Sequence, residues 1–263
     1  MRFFAATVLR NGPVDLLPHW LDYYLRLGLD ELILCVLREG MEERLDQINS
    51  LIKGKPARVY LFSGWHDDGQ PQIRDGLEQY GCRPDDWVIH ADLDELNEFP
   101  APINELAEAM ARNDRKAVHG HFIDRVDADG CLTALTATPS LAEQYPVECK
   151  LTENICRGFT QKIMMCRHEV TVSAGHHTAS VPSGKHPIGK WQDYRVHHFK
   201  WRDMVLERIK WALSNGAARD GWDQETQRFI DFLQYERIPV EDSRLESKHV
   251  GTASPRLFPR TDR

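Results

Sequence analysis

The sequence lacks a long hydrophobic run and an excess of positive charge. No apolar stretch approaches the roughly 20 residues that a membrane-spanning helix needs, and the start, MRFFAATVLRNG, has no signal-peptide core or cleavage site. The formal net charge is −7, which argues against a nucleic-acid partner. These absences predict a cytoplasmic protein without a transmembrane segment, a prediction that still allows peripheral contact with a membrane.

Paired cysteines are also missing. None of the six cysteines forms a C-x-x-C pair, and several lie in apolar runs. We therefore expect reduced and mostly buried thiols, as in cytosolic proteins, rather than disulfides or a zinc site. The cysteines are Cys35, Cys82, Cys131, Cys149, Cys156 and Cys166.

What the sequence does contain is an alternation of apolar strands with amphipathic helices, about four times in the first 125 residues. Near-continuously apolar strands separated by helices predict an α/β fold with a mostly parallel sheet covered on both faces. The predicted strands are 3–9, 31–37, 57–62, 86–96 and 116–126, and the predicted helices are 17–27, 42–52, 70–81 and 103–113.

Beyond residue 125 the alternation breaks down. Short strands are predicted in KIMMCR and EVTVSAG, and late helices over 201–216 and 223–235. The Ser-, Pro- and Arg-rich end from 243 is predicted to be loose. The sequence is thus divided at 125 and 242 into an α/β part, a mixed α/β C-terminal part of the same domain, and a tail.

Acidic residues crowd the end of the fourth predicted strand, in VIHADLDELNEF, residues 88–99. Asp92, Asp94 and Glu95 fall within four positions, and Glu98 follows. Ligands of open α/β sheets bind at the edge where the strands end, and carboxylates suit Mg²⁺ or Mn²⁺ shared with substrate phosphates. The pattern predicts metal-assisted handling of a nucleotide diphosphate. A D-x-D on a solvated loop is the alternative.

Several segments together resemble a known family. Arg10-Asn11 is followed by LPHWLDYY at 17–24 and LGLD at 27–30, the acidic motif appears in WVIHADLDEL at 87–96, and HFKW occupies 198–201. In these segments the chain resembles the family 2-like and family 92-like glycosyltransferases of GT-A fold.

The resemblance implies a Rossmann-like GT-A fold and a metal-dependent hexosyltransferase that inverts the anomeric carbon. The donor would be a nucleotide-diphosphate sugar bound by residues 1–125. The acceptor would be a hydroxyl of a glycan, a lipid-linked glycan or a small molecule, and residues 126–242 would complete its site.

The resemblance also implies a metal site for Mn²⁺ or Mg²⁺. Asp94 would bind the ion, and Asp92 would lie beside it and near the ribose or sugar. A late histidine often completes such a shell. His198 is the first choice and His197 the second, while the pair His176 and His177 competes for the same role.

Nucleotide-sugar contacts are expected from Arg10 and Asn11 after the first strand and from Gln72 and Arg74 before the fourth. Asp92 would contribute as well, and Lys200 would meet the diphosphate oxygens. A solvated helix face is the alternative interpretation of Gln72 and Arg74, and a solvated surface that of Lys200.

An inverting transferase needs a general base within hydrogen-bond reach of the acceptor hydroxyl. Asp124, in HFIDRV, is the leading candidate because it stands at another predicted strand end. A strand-end ion pair with Arg125 is the alternative. Further candidates for the base are Glu95, Glu153, Glu148 and Asp193.

The sequence departs from the family at two places, and other classes of protein stay open. The D-N-x-S-x-D that usually follows the second strand is replaced by VLREGM at 36–41, and Gly12 stands where the family has Glu. The second interpretation is a nucleotidyltransferase-like enzyme using the same metal and diphosphate, although RNGP at 10–13 is a poor match to its Gly-rich phosphate loop. A metal-dependent hydrolase and a non-catalytic glycan-binding or scaffold relative are further alternatives.

Overall fold

The computed structural model describes residues 1–10, 14–64, 69–180, 194–214, 222–251 and 255–260. The chain forms two compact units. Unit 1 comprises Met1–His121, Gln161–Val196 and Arg256–Arg263, and unit 2 comprises Phe122–Thr160 and His197–Pro255. Within the described ranges, no helix is both long enough and apolar enough to cross a membrane.

The secondary structure follows the predicted alternation. In chain order the strands are β1 (Phe3–Leu9), β2 (Glu31–Leu37), β3 (Ala57–Phe62), β4 (Trp87–His90), β5 (Glu95–Glu98), β6 (Ala117–Val126), β7 (Val147–Cys149), β8 (Gln161–Arg167), β9 (Thr171–Val172), β10 (Ala179–Ser180), β11 (Arg195–His198) and β12 (Lys248–His249). The helices are α1 (Leu17–Arg26), α2 (Glu42–Ile52), α3 (Gln70–Gln79), α4 (Ile103–Arg112), α5 (Leu141–Gln144), α6 (Val205–Ser214) and α7 (Trp222–Phe232).

Unit 1 is built on a mostly parallel sheet, as predicted. Its strand order is β3-β2-β1-β4-β8 followed by the first half of β6. β1 pairs in parallel with β2 and β4, and β2 with β3, whereas β8 runs antiparallel between β4 and β6. The carboxyl ends of β1 to β4 and the amino end of β8 therefore lie at one edge of the sheet.

The core of unit 1 explains why these segments form these elements. Every residue of β2 is buried, as expected for a strand covered on both faces. On one face, Ile73 and Leu77 of α3 pack against Phe4 of β1, Ile33 of β2 and Val88 of β4. This packing fixes α3 beside the end of β4, where the acidic motif begins.

The structure divides the predicted strand 86–96 in two. β4 ends at His90, and a turn closed by the Glu95 N–H donating to the Asp92 carbonyl (3.0 Å) separates it from β5. Short Asp side chains favour turns over continued strand. The acidic motif therefore occupies a tight turn at the sheet edge, not the end of one long strand.

Unit 2 has its own core around Trp201, Val205, Ile209 and Phe229. The prediction of a loose end from residue 243 does not hold for the described residues. Leu245 is buried in that core, and β12 pairs antiparallel with β7 within unit 2. The sequence signal was composition alone, and composition does not reveal one buried leucine or a two-residue strand pairing.

The cysteines are mostly buried, as the sequence predicts. All six are free, five are buried and Cys131 is partly exposed. Burial raises the pKa of the Cys35 thiol above its usual range, so this sulfur is a packing group rather than a nucleophile.

Candidate functional site

The turn after β4 holds two carboxylates close together. The Asp92 N–H donates to Glu95 Oε2 at 3.1 Å, while the Glu95 N–H donates to the Asp92 carbonyl. These reciprocal bonds fold the Glu95 side chain back toward Asp92. Glu95 is buried, whereas the Asp92 side chain is 47% exposed. The Asp92 carboxylate is therefore accessible to solvent and the Glu95 carboxylate is not.

Two tyrosines of α1 form hydrogen bonds to the backbone of this segment. The Tyr24 hydroxyl donates to the Glu95 carbonyl (3.1 Å) and accepts from the Asn97 N–H (3.2 Å), and the Tyr23 hydroxyl donates to the Asn97 carbonyl (2.9 Å). The Asn97 amide reaches the Met164 carbonyl of β8 at 3.3 Å. Buried and mutually bonded, these groups fix the backbone of the acidic turn.

Lys162 lies between the two carboxylates. β8 runs antiparallel to β4, with Ile89 paired to Met165, and Lys162 near the start of β8 lies beside the turn that follows β4. Its Nζ is 3.1 Å from Asp92 Oδ2 and 2.5 Å from Glu95 Oε1. Burial alone would lower the pKa of Lys162, but the carboxylates of Asp92 and Glu95 raise it above its usual range. The buried side chain is therefore an ammonium ion.

His176 completes a group that can coordinate a cation. Atoms of Asp92, Glu95 and His176 that could bind a metal all lie within 4.8 Å of one another. His176 is 3% exposed, and neither ring nitrogen has a hydrogen-bond partner among the described residues. Burial lowers the pKa of His176 well below its usual value, so the imidazole is neutral and keeps a lone pair.

The backbone around His176 is strained. Gly175 and His176 have φ values of 63° and 60°, and a histidine in this left-handed region is uncommon. Such outliers persist where the surrounding structure over-determines them and often occur at ligand sites. His176 shares this conformation with six other described non-glycine residues, so the backbone alone does not mark it as a site residue.

Positive charge surrounds the exposed carboxylate. Desolvation raises the pKa of Asp92, but the Lys162 ammonium outweighs this effect, helped by Arg10, and the net shift is below the usual range. Arg10, predicted from the sequence to contact a nucleotide, thus acts on this cluster. Asp92 is ionised at neutral pH and lies beside two permanent cations.

The donor set fits a divalent ion. Two carboxylates and a neutral imidazole with no other partner suit Mn²⁺ better than Mg²⁺, because Mg²⁺ prefers oxygen ligands. Among the described residues, the group with converging donor atoms does not include Asp94, the ligand expected from the sequence. Glu95, expected as a candidate base, belongs to the group instead.

Asp124, the leading candidate for the base, is held in a saturated network within unit 2. It lies on β6, two residues before the strand ends. Thr152 donates to it through its N–H and its hydroxyl, both at 2.7 Å, and Trp201 Nε1 donates at 2.7 Å. Burial raises the pKa of Asp124, but these bonds and His198 lower it overall. This geometry favours a structural role.

The late histidines are engaged in unit 2. His198 Nδ1 lies 3.0 Å from Asp124 Oδ1, and its ring stacks on Phe122 at a centroid distance of 4.4 Å. His197 Nδ1 lies 3.3 Å from Arg125, whose Nε donates to the Tyr145 carbonyl. Among the described residues, neither histidine belongs to the group whose donor atoms converge. His176, their competitor in the sequence, lies in the acidic cluster.

The remaining predicted residues that the structure describes do not belong to the group of converging donor atoms. Gln72 is buried in α3, and Arg74 pairs with Glu78 at 3.0 Å. In unit 2, Lys200 lies 4.9 Å from the ring centroid of Trp201, and Glu153 lies in a π-helical turn over Leu151–Cys156. Asn11 and Asp193 fall outside the described residues.

Lys162 was not singled out from the sequence. The signal that could have found it is a single charge at the start of the apolar run KIMMCR, because a lysine is almost never fully buried unless it is paired. A lysine in an apolar run predicts a buried acidic partner, but the sequence does not identify that partner.

Comparison with known proteins gives structural neighbours alone. No protein-family profile matches the sequence, and no curated protein matches it. Among solved structures, a 4-diphosphocytidyl-2C-methyl-D-erythritol synthase has a TM-score of 0.34 and 16% identity over 64% of this chain and 76% of its own. HddC from Yersinia pseudotuberculosis has a TM-score of 0.31 and 16% identity, over 51% and 62%.

A third structure covers more of both chains. It is the 4-diphosphocytidyl-2C-methyl-D-erythritol synthase of Anaerococcus prevotii, with a TM-score of 0.31 and 13% identity over 92% of this chain and 93% of its own. Neighbours this distant do not assign an activity to the chain, and its α/β architecture rests on the sheet described above.

The prediction of a sugar transferase is wrong on this comparison. None of the three structures is named as a glycosyltransferase, and two are named for making a diphosphocytidyl compound. The resemblance to family 2-like and family 92-like enzymes rested on short motifs, and each of these motifs alone is too common to identify one enzyme family.

Proposed function

We propose that unit 1 is a divalent-metal-dependent nucleotidyltransferase. The observation that carries the proposal is the convergence of Asp92, Glu95 and His176 beside Lys162 at the carboxyl edge of a parallel sheet. Ligands of open α/β sheets bind at this edge. Carboxylates and a neutral histidine bind a cation, and a neighbouring ammonium binds an anion, so the cluster suits a metal–phosphate complex.

The reaction is a single displacement at phosphorus. An unprotonated phosphate oxygen of the acceptor attacks the α-phosphorus of a nucleoside triphosphate and forms a new P–O bond. The bond from the α-phosphorus to its bridging oxygen breaks, and pyrophosphate leaves with that electron pair. A bound divalent ion would supply positive charge against the leaving pyrophosphate.

The chain's own cations supply the phosphate contacts. Lys162 is an ammonium whose charge offsets two carboxylates. Asp92 and Glu95 would hold the divalent ion, and in this proposal the Lys162 ammonium donates to a phosphate oxygen in a strong charge-assisted bond. Arg10, which acts on Asp92 electrostatically, stands at the end of β1. In this proposal these two side chains take the place of a Gly-rich phosphate loop.

The test combines metal binding with turnover. Mn²⁺ titration followed by electron paramagnetic resonance should show a site that is weakened at least about 10-fold in Asp92→Asn and in Glu95→Gln, since even outer partners of metal ligands act on this scale. Pyrophosphate release would be measured from the four nucleoside triphosphates, each with a pool of phosphorylated sugars and polyols. Asp46→Asn, at an exposed acid of α2, is the matched control.

The proposal predicts that one nucleoside triphosphate releases pyrophosphate with Mn²⁺, and that Asp92→Asn and Glu95→Gln lose this release while Asp46→Asn keeps it. Unchanged Mn²⁺ affinity in both cluster variants would refute the metal site. Mn²⁺ binding with hydrolysis to nucleoside diphosphate and inorganic phosphate would refute nucleotidyl transfer while keeping the site.

A further inference from the structure

Unit 1 contains a pocket of about 320 Å³ between α3 and the segment around β9. Its lining includes the apolar residues Ile73 and Leu77 of α3 and Val172 of β9. Gln70, Arg74 and His90 add polar groups. The pocket therefore combines apolar walls with hydrogen-bonding side chains, the usual composition of a small-molecule site.

The pocket adjoins the acidic cluster. His90, the last residue of β4, lines the pocket, and its ring centroid lies 5.1 Å from that of His176. His90 is buried, and its Nδ1 has no hydrogen-bond partner in the part of the chain that the structure describes. One side chain thus borders both the pocket and a residue of the candidate metal site.

The pocket and the acidic cluster differ in the chemistry of the ligand group that each would bind. Ligand pockets generally span about 300–1,000 Å³, so a pocket of about 320 Å³ lies at the lower end of this range and suits a ligand such as one ring system with its ribose. The apolar side chains can pack against a flat heterocycle. The Gln70 amide and the Arg74 guanidinium can form hydrogen bonds with the polar groups at its edge. In the proposed function, the phosphates bind to the cationic side chains of Lys162 and Arg10.

We infer that this pocket takes the heterocyclic base of the nucleotide whose phosphates lie at the Asp92–Glu95–His176 cluster. The inference rests on the proposed function for the phosphate position, while the pocket's affinity for a base stands on its own lining. Selection among bases then depends on Gln70 and Arg74 at the rim, not on the metal-binding residues.

Two probes separate the pocket from the cluster. Free nucleosides (cytidine, uridine, adenosine and guanosine) test the pocket without phosphates, and inorganic tripolyphosphate with Mn²⁺ tests the cluster without a base. Both are titrated by calorimetry against the full chain. Thr171→Trp fills the pocket from an exposed lining position. Ser50→Trp introduces the same side chain at an exposed position of α2 that does not line the pocket.

Thr171→Trp is expected to weaken the preferred nucleoside at least about 10-fold and to leave Mn²⁺–tripolyphosphate within about twofold, the selectivity expected when a preformed pocket is filled. Ser50→Trp should change neither. Gln70→Ala, which does not introduce bulk, should alter the ranking of the four nucleosides.

Two results would overturn the inference: no nucleoside binding by the wild-type chain, or equal nucleoside binding by the Thr171→Trp and Ser50→Trp variants. Nucleoside binding without any binding of Mn²⁺–tripolyphosphate would instead refute the proposed function and support the pocket. The two failures are therefore distinguishable in one set of titrations.

Discussion

Asp92 in unit 1 and Asp124 in unit 2 both lie within two residues of the carboxyl end of a strand, yet their surroundings differ. Asp124 is 1% exposed and is surrounded by donors from Thr152, Trp201 and His198. The Asp92 side chain is 47% exposed and shares Lys162 with Glu95. A carboxylate whose lone pairs are taken up by protein donors stabilises the fold, whereas one that keeps an open side can bind a ligand.

The largest effect should come from removing the saturated carboxylate. Asp124→Ala is expected to lower the free energy of unfolding by about 3–5 kcal/mol, because hydrogen bonds to a charged group contribute about 1.5–3 kcal/mol each and the buried donors are left without an acceptor. Urea denaturation monitored by tryptophan fluorescence measures the loss. Asp124→Asn, which keeps one acceptor oxygen, should lose less. A loss below about 1 kcal/mol in the alanine variant would contradict the structural role of Asp124.

Removing the internal cation should come next and should depend on metal. Lys162 and Glu95 are both about 2% exposed, and breaking a buried pair leaves an uncompensated charge that costs about 3 kcal/mol or more. Lys162→Met should therefore be destabilised by about 3 kcal/mol without metal. Saturating Mn²⁺ should restore part of that loss, because the ion replaces the ammonium between the carboxylates.

Denaturation of Lys162→Met with and without 1 mM Mn²⁺ decides this point. The wild-type chain, measured in the same way, is the control for general effects of Mn²⁺. Equal destabilisation in both conditions would mean that the carboxylates, once freed from lysine, still do not accept a metal.

Acid should weaken unit 1 through its buried histidines. Burial, with His168 and Lys162 nearby, lowers the pKa of His90 from 6.5 to about 4. A lowered histidine pKa contributes stability that is present above pH 6.5 and is lost as the pH falls toward 4, because the unfolded chain binds the proton first. Between pH 7 and 4.5, His90→Gln should lose about 2 kcal/mol less than the wild-type chain.

Urea denaturation at half-unit pH steps measures the two slopes. Parallel stability curves for wild type and His90→Gln would show that His90 is not held neutral in the folded chain.

The smallest effect on stability, and the sharpest on binding, is expected at the exposed carboxylate. Asp92→Asn should change the free energy of unfolding by less than about 1 kcal/mol, since partly exposed ion pairs contribute little, yet weaken Mn²⁺ at least about 10-fold. Asp94→Asn, an identical change two residues away, should keep Mn²⁺ affinity within about twofold. If Asp94→Asn loses the metal and Asp92→Asn keeps it, the sequence-based choice of Asp94 was the better one.

Much of the α/β framework of unit 1 could be predicted from the sequence. β1, β2, α2 and β3 have the predicted bounds, and α3 and α4 differ by at most two residues at one end. These elements have strong local signals: continuous apolar runs for buried strands, and one apolar face for helices. The short turn inside WVIHADLDEL was missed because Asp92 and Asp94 were interpreted as a strand end rather than as turn residues.

The candidate site was predicted only in part. Asp92 was expected at a metal or nucleotide, and Glu95 was noted as a base. The histidine could not be chosen, because HH occurs at 176–177 and again at 197–198 and spacing along the chain does not say which pair approaches the motif. The resemblance favoured the later pair, whereas the folded chain brings His176 to Asp92 and Glu95.

By itself, the sequence determined that acidic side chains would gather at the carboxyl end of a buried parallel strand, because hydrophobic periodicity is a local property. Only the tertiary structure decided what those acids meet. Lys162 is 70 residues from Asp92, and its position depends on β8 running antiparallel beside β4 in one register. Shifting that register by one residue would turn the lysine to the other face of the sheet. Pairing between distant strands is set by the packing of the whole unit, and no local pattern records it.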